Sequence, residues 1–347
     1  MLCKLNCDAL STIFGQQLVL FELHKPRPMR LFEILNAFRG NIDGLTPKTL
    51  EQVHQLIQSK KVRQVFVDGS NLGGLVAELK FTWPDIEVIT FYHNVETRFF
   101  WGAFRSKKSI RALAVLIVNY LAERKATLFS DKRICLSERD SQLLRIIYGE
   151  GATHITPMAL ADKYDEYSQE VQVNESEPFA LFVGGSFYAN REGISWFVKH
   201  VASHIDIKVC VVGKGMEDMR ADLEIPGRVV VIGTVDNLAD WYRRSRFVIA
   251  PIHDGSGMKT KVAEALMFGK KVVGTPEAFA GYEDIVEDAG WLCTNAAEFV
   301  SAMYTAQRTI NVAFDPLMRD LYERRFSLPA ATARLAEVLS VKTVKRH

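Results

Sequence analysis

The sequence predicts an α/β protein of two domains, each a parallel sheet covered by helices on both faces. Three observations carry this. From about residue 179 onward short apolar runs alternate with helical patterns, and those runs are continuously apolar rather than alternating. Glycine closes four of them at the carboxyl end, at Gly184, Gly213, Gly233 and Gly274. Strands buried on both faces read as unbroken apolar runs. Ligands of such sheets bind outside the strand carboxyl ends, where glycine lets them approach the backbone.

The first half shows the same alternation less regularly. "QLVLFEL", "VRQVFVDG", "IEVITFYHN", "RICLS" and "HITPM" read as strands, with a long helix over about 109–129. The centre of that helix, "ALAVLIVNYLA", is apolar nearly all round and is expected to be buried. Residues 159–178, "ALADKYDEYSQEVQVNESEP", are polar, acidic and closed by proline, as interdomain linkers are. Next come "FALFVG" (strand), "REGISWFVKHVASH" (helix), "IKVCVVG" and "RVVVIG" (strands), "DNLADWYRRS" (helix) and "RFVIAP" (strand). The helix of "DGSGMKTKVAEALMFG" and the strand "KKVVGT" complete the series. The chain ends in two helical stretches with a basic tip. The expected domains are 1–170 and 171–315, with helices in 316–347 packing back on the first.

Composition narrows the class. The 347 residues suit about two domains. A net charge of +2, with no basic tract interleaved with aromatics, argues against a nucleic-acid partner. Five scattered cysteines point to a reducing compartment, the cytoplasm. Cys3 and Cys7 have a ligand-like spacing, but no neighbouring His or Cys pair completes a metal site in sequence. The longest apolar run, 112–121, is half the roughly 20 residues a spanning helix needs, and the opening residues lack signal-peptide order.

Chemistry concentrates in 254–275. A glycine loop (Gly255, Gly257) leads into a helix, an arrangement whose backbone N–H groups bind phosphate. Lys259 and Lys261 sit in the first turn, where cations are disfavoured unless an anion is near. Glu264 can accept two hydrogen bonds from vicinal hydroxyls such as those of a ribose. A surface helix with solvated lysines fits the residues equally well. Gly213-Lys214-Gly215 invites a dinucleotide reading, but the third glycine falls on Asp218, and a plain tight turn is the simpler account. His93, beside Asn94 and Glu96, is a second polar candidate at a strand end.

The segment "PIHDGSGMKTKVAEALMFGKKVVGTPEAFAG" resembles the donor-binding segment of GT-B-fold glycosyltransferases, in particular the retaining, nucleotide-sugar-dependent group 1 (family 4-like) enzymes. "FVGGSFYANREGISWF", "VVVIGTVDNLADWYRRSRFVIAP", "ITFYHNVETRFF" and "RICLSERDSQLLRIIYG" resemble further segments of that family in the same order, over roughly 60–330. The resemblance implies two Rossmann-like domains facing a cleft, the first lacking its opening strand. It assigns Glu264 to the ribose and Gly233 to Val235 to the base. Ser256, Gly257, Met258 and Lys259 would lie on the diphosphate and sugar, and His93 would reach the donor sugar. Ser256 stands where the family has its first carboxylate, with Asp254 two residues upstream as substitute. Gly185 stands where arginine is common. With Gly184 at the turn, the phosphate cations would be Arg191, Lys214, Lys259 or Lys261.

The implied activity is metal-independent transfer of a sugar, with retention, from a nucleotide-sugar to a saccharide or lipid-linked acceptor in cell-surface polysaccharide biosynthesis. No cofactor is expected. Nine Lys/Arg between Arg98 and Arg133 raise a peripheral contact with the inner face of the plasma membrane as a further expectation. The alternative is a catalytically degenerate relative that acts as a binding or scaffolding partner. An epimerase on the same plan would need an acid/base pair that the sequence does not show.

Overall fold

The runs "VRQVFVDG", "IEVITFYHN", "RICLS" and "HITPM" form one parallel sheet, and the runs after residue 178 form another. The computed structural model describes residues 2–23, 36–164 and 177–340 and divides into two units, Met1–Met158 with Ala331–His347, and Ala159–Ala330.

The first unit opens with helix α1 (Leu2–Phe14), whose Leu5, Ala9 and Leu10 are buried. The predicted strand "QLVLFEL" does not form: Gln17 closes a 3-10 turn, residues 18–23 pair with no strand among the described residues, and Leu20 and Val19 are exposed. An apolar run specifies extended chain, but a strand also needs a hydrogen-bonding neighbour. Helix α2 (Pro47–Lys60) starts where Thr46 and Thr49 cap each other reciprocally, with Pro47 at the first position.

Strands β1 (Gln64–Asp68), β2 (Glu87–Phe91), β3 (Lys132–Cys135) and β4 (His154–Ile155) lie side by side in sequence order. All three pairings are parallel. The crossovers between these strands supply α3 (Gly73–Thr82), α4 (Glu96–Lys107), α5 (Ile110–Phe129) and α6 (Glu138–Tyr148). Val67, Val76, Leu79 and Val88 join Val53 and Ile57 of α2 in one core cluster. Tyr92, Ala126, Cys135 and Leu144 make a second.

Helix α5 departs from expectation. Only one stripe is buried (Leu116, Asn119, Ala122, Glu123, Ala126, Thr127), while Ile110, Leu113 and Ile117 are exposed. Composition indicates an apolar helix; which flanks are covered depends on neighbours. Glu123 within the stripe is fully buried. It accepts from the Glu96 and Thr97 backbone N–H groups at 2.8 and 3.0 Å, and from Ser70 Oγ and Tyr148 Oη at 3.0 and 2.9 Å. One carboxylate thereby caps the N-terminus of α4, where negative charge is favoured.

The second unit is a six-stranded, wholly parallel sheet: β5 (Phe179–Val183), β6 (Lys208–Val212), β7 (Val229–Gly233), β8 (Phe247–Ala250), β9 (Val272–Gly274) and β10 (Gly290–Leu292). The order is β10-β9-β8-β5-β6-β7, the doubly wound arrangement of dinucleotide-binding domains. Every residue of the central β5 is buried. Strand β10 escaped the sequence reading because "GWL" is short and opens on glycine.

The helices are α7 (Tyr188–His200), α8 (Arg220–Leu223), α9 (Leu238–Arg244), α10 (Thr260–Met267), α11 (Val286–Ala289), α12 (Ala296–Thr309), α13 (Pro316–Arg325) and α14 (Leu328–Val338). Lys270 is buried, with its ammonium on the carbonyl oxygens of Arg243 (2.9 Å), Ser245 (2.7 Å) and Ala313.

The unit boundaries differ from the expected 170/171 and 315/316. Residues 159–164 belong to the second unit. The Leu160 N–H donates to Phe326, the Leu160 carbonyl accepts from Tyr322 Oη, Arg319 pairs with Asp162, and Tyr164 stacks on Phe314. Polar composition suggested a linker there, yet these side chains find charged and aromatic partners. Helix α13 also belongs to the second unit, whereas Ala331 onward returns to the first, where Lys132 Nζ donates to the Val338 carbonyl. The rest of the linker reading (165–176) and the basic tip (341–347) lie outside the described residues.

Candidate functional site

In the second unit the strand order reverses between β5 and β8, which marks the topological switch point where ligands of such sheets bind. Two turns flank it: residues 184–187 after β5 and residues 251–259 after β8.

The first turn is built by close backbone approach. A methyl group at Gly213, whose φ is +153°, would lie 2.0 Å from the Gly184 carbonyl oxygen, so the β5 and β6 ends meet only through glycine. At Gly193 of α7 it would lie 2.2 Å from the Pro251 carbonyl oxygen, so this helix is seated directly on the second turn. Asn190 Nδ2 donates to the Gly185 carbonyl at 3.0 Å. Lys214 and Arg191 are exposed beside this turn, and among the described residues neither side chain has a recorded hydrogen bond or ion pair.

The second turn is held from within. Gly255 N–H donates to Asp254 Oδ1 at 2.8 Å, turning that carboxylate onto its own loop. Met258 is buried against Gly281. Lys259 Nζ reaches the Gly257 carbonyl at 2.9 Å and Glu277 Oε1 at 2.7 Å, and its carbonyl accepts from Tyr282 Oη. Ser256 is half-buried at the loop tip.

Lys261 is not a surface cation. It is 7% exposed, lies over the Phe182 ring at 4.5 Å and donates to Asn190 Oδ1 at 2.9 Å. Burial, with Lys259 adding, pulls its ammonium down to about 7. The lysine pair read from sequence as a response to an anion therefore has protein partners of its own, and the reason is tertiary. Glu277 and Asn190 come from segments 18 and 71 residues away.

Glu264 is the fifth residue of α10. Its Oε2 accepts from Tyr242 Oη at 3.0 Å, and Oε1 faces Lys163 Nζ at 3.9 Å. Tyr242 is buried and stacked on Phe268, so the carboxylate is fixed by a rigid donor while remaining 13% exposed. Gly233 closes β7 and Val235 follows it; the Gly233 carbonyl accepts from Gly213 N–H, and Thr234 Oγ1 donates to Glu217 Oε1 at 3.0 Å.

Sequence reasoning missed Asn190, Gly193, Tyr242, Glu277 and His253. His253 is exposed, lies within the second turn one residue before Asp254, and is edge-on to Trp196 at 4.4 Å. Only His253 carried a local signal, its place beside Asp254.

In the first unit His93 lies two residues past β2. Its Nε2 is 3.0 Å from Asp68 Oδ1 at the end of β1 and 3.7 Å from Cys3 Sγ of α1. Asn6 Nδ2 donates to Asp68 Oδ1 at 2.7 Å. Burial pushes the Asp68 carboxyl up, but hydrogen bonds from His93, Cys3 and Asn6 outweigh it and leave it below the usual range. Burial, then Asp68, pushes the Cys3 thiol up to about 11. Burial and the charge of Glu123 raise Glu96 to about 7. Asn94 Oδ1 is buried with no partner among the described residues.

The two parallel α/β units define a protein with the fold of GT-B glycosyltransferases. Residues 177–308 match the family model of group 1 glycosyl transferases. Similar structures include sucrose-phosphate synthase from Thermosynechococcus elongatus (TM-score 0.66, 18% identity, 85% of this chain and 77% of that one). Anabaena HepE in complex with UDP is similar at a TM-score of 0.60 and 16% identity, over 86% of this chain and 83% of that one. WaaG, a glycosyltransferase involved in lipopolysaccharide biosynthesis, is similar at 0.63 and 14%, over 98% and 96%. No curated protein matches the chain.

Proposed function

We propose that this protein is a glycosyltransferase that takes a nucleotide-sugar donor at the switch point of its second unit. The observation that carries the reading is Glu264. It is a partly exposed carboxylate fixed by Tyr242 on the helix that follows the glycine loop, within the residues that match the group 1 family model. HepE, a similar structure, was solved with UDP and with UDP-glucose, which makes UDP the first nucleotide to try.

Glu264 holds the ribose hydroxyls, and the Gly233–Val235 segment faces the base. The N–H groups around Gly184 and Gly257, with Arg191 and Lys214, meet the charge that grows on the leaving diphosphate. Preorganised donors of this kind supply the largest share of such catalysis, so we assign the transfer itself no metal. Retention, His93 on the donor sugar, and a saccharide or lipid-linked acceptor in polysaccharide assembly complete the proposal. The exposed apolar flank of α5 supports a peripheral membrane contact: Ile110, Leu113 and Ile117 are exposed, as are Arg105, Lys107, Lys108 and Arg111 close to them in sequence. Among the described residues no helix is long and apolar enough to cross a membrane.

One observation favours a second reading, a nucleotide-binding scaffold without turnover. Ser256 replaces the family's carboxylate, and Asp254 is turned onto Gly255.

Calorimetric titration with UDP, GDP, dTDP and CMP tests the proposal. One nucleotide should bind, and Glu264→Ala should abolish the signal while leaving the protein folded. Binding that survives Glu264→Ala refutes the site. Binding without donor hydrolysis or transfer across acceptors selects the scaffold.

A further inference from the structure

Cys3, Asp68 and His93 arrive from three separate elements: α1, the end of β1 and the segment after β2. The fold places the thiol sulfur, a carboxylate oxygen and an imidazole nitrogen within 4.8 Å of one another. The Cys3–Cys7 spacing carried no metal site in sequence because no companions stood nearby. Folding delivers them from positions 65 and 90 residues beyond Cys3.

The geometry distinguishes two uses of such a trio. A nucleophilic relay puts the thiol on one imidazole nitrogen and the carboxylate on the other, so that the ring carries a proton between them. Here both meet the same nitrogen: Nε2 is 3.0 Å from Asp68 Oδ1 and 3.7 Å from Cys3 Sγ. Three donor atoms converging on one point are arranged for a cation. With metal bonds of about 2.3 Å to sulfur and about 2.0–2.2 Å to nitrogen and oxygen, a tetrahedral site sets sulfur about 3.6 Å from nitrogen and nitrogen about 3.4 Å from oxygen. Shifts of a few tenths of an ångström therefore suffice for the two pairs that His93 Nε2 makes with sulfur and oxygen.

We propose that Cys3, Asp68 and His93 bind a single divalent transition-metal ion of zinc-like softness, with one coordination position left open. Thiolate, imidazole and carboxylate together suit Zn²⁺ and disfavour Mg²⁺, which takes oxygen ligands. Thiolate and carboxylate neutralise the ion's two charges. Binding releases the thiol proton, and Nε2 must present its lone pair, so the imidazole proton resides on Nδ1. Access is open: Cys3 is exposed, and the His93 and Asp68 side chains are 22% and 23% exposed. Asn6, whose Nδ2 donates to Asp68 Oδ1 at 2.7 Å, orients the carboxylate from outside the coordination sphere. An occupied site takes up His93 Nε2 and leaves the Nδ1–H as the ring's donor toward a sugar.

The test is titration of tag-free, metal-stripped protein with Co²⁺ under reducing conditions, followed by displacement with Zn²⁺. The expected result is one equivalent of Co²⁺ per chain, with thiolate-to-cobalt absorption in the near ultraviolet and visible bands of tetrahedral strength. Cys3→Ser and His93→Ala should each abolish the thiolate band. Cys293→Ser, at a buried cysteine of the second unit, should leave it intact. Asn6→Ala should weaken binding by about 10- to 100-fold, as outer partners do. Cys3 is exposed, so Cys3→Ser is expected to fold, which circular dichroism checks. A missing thiolate band in the unaltered protein, or a band that survives Cys3→Ser, overturns the proposal.

Discussion

Replacing Lys261 with methionine isolates one buried charge. Lys261 is 7% exposed, and its ammonium is held down to about 7 by burial and by Lys259. In the unfolded chain its pKa returns to about 10.4. Between these values the unfolded state holds a proton that the folded state lacks, so stability rises with pH. The contribution is complete above the unfolded value and is lost as pH falls through about 7. Its slope is about 1.4 kcal/mol per pH unit, or about 2 kcal/mol between about pH 8 and about pH 9.5. Lys270, also drawn down to about 7 by burial, gives a similar slope that the substitution leaves in place. Methionine fits the volume over Phe182 and carries no charge, so the Lys261→Met profile should be shallower than that of the unaltered protein by about 1.4 kcal/mol per pH unit, whatever the buried thiols Cys210 and Cys293, raised by burial, add to both. Urea midpoints for the second unit, followed by circular dichroism across that window, give the answer. Parallel pH profiles would refute the reasoning, because they would mean that Lys261 keeps its proton in the folded protein.

Other expectations follow from the same geometry. Glu123→Ala leaves the Glu96 and Thr97 N–H groups and two hydroxyls without their shared acceptor, which should cost about 3 kcal/mol or more in urea unfolding. Gly213→Ala forces a methyl to 2.0 Å from the Gly184 carbonyl at a φ of +153°. It should lose more than about 1 kcal/mol and weaken nucleotide binding in the same calorimetric titration. Sedimentation with vesicles rich in phosphatidylglycerol should capture the protein, and phosphatidylcholine vesicles should not. Lys107→Ala should weaken capture by about 1 kcal/mol, and Ile110→Ser should weaken it further.

The sheet of the second unit was legible because its strands are buried on both faces, and burial writes unbroken Val/Ile/Leu runs into a sequence. The order of those strands was not. Only the hydrogen-bonded pairing of β5 with β8 reveals the switch point. At the candidate site Glu264 could be read from its helix and glycine loop. Lys259 and Lys261 were read as a response to a bound anion, because the partners they have within the protein, Glu277 and Asn190, are brought to them only by the fold. Helix α1 went unnoticed, although Leu5, Ala9 and Leu10 have helical spacing, and its cysteines were judged by sequence neighbours alone. The strand "QLVLFEL" failed for the complementary reason, a local pattern without a partner strand among the described residues.

The chain leaves the first unit after Met158 and rejoins it at Ala331. The second unit is thus continuous in sequence and the first is not, which gives synthesis a direction. Emerging from the ribosome, residues 159–330 can complete their sheet while the first unit still lacks its closing segment. Lys132 must wait for the Val338 carbonyl, which is 206 residues behind it in translation. A late termination or a C-terminal nick would therefore injure the opening half of the polypeptide and spare the half beside the cut.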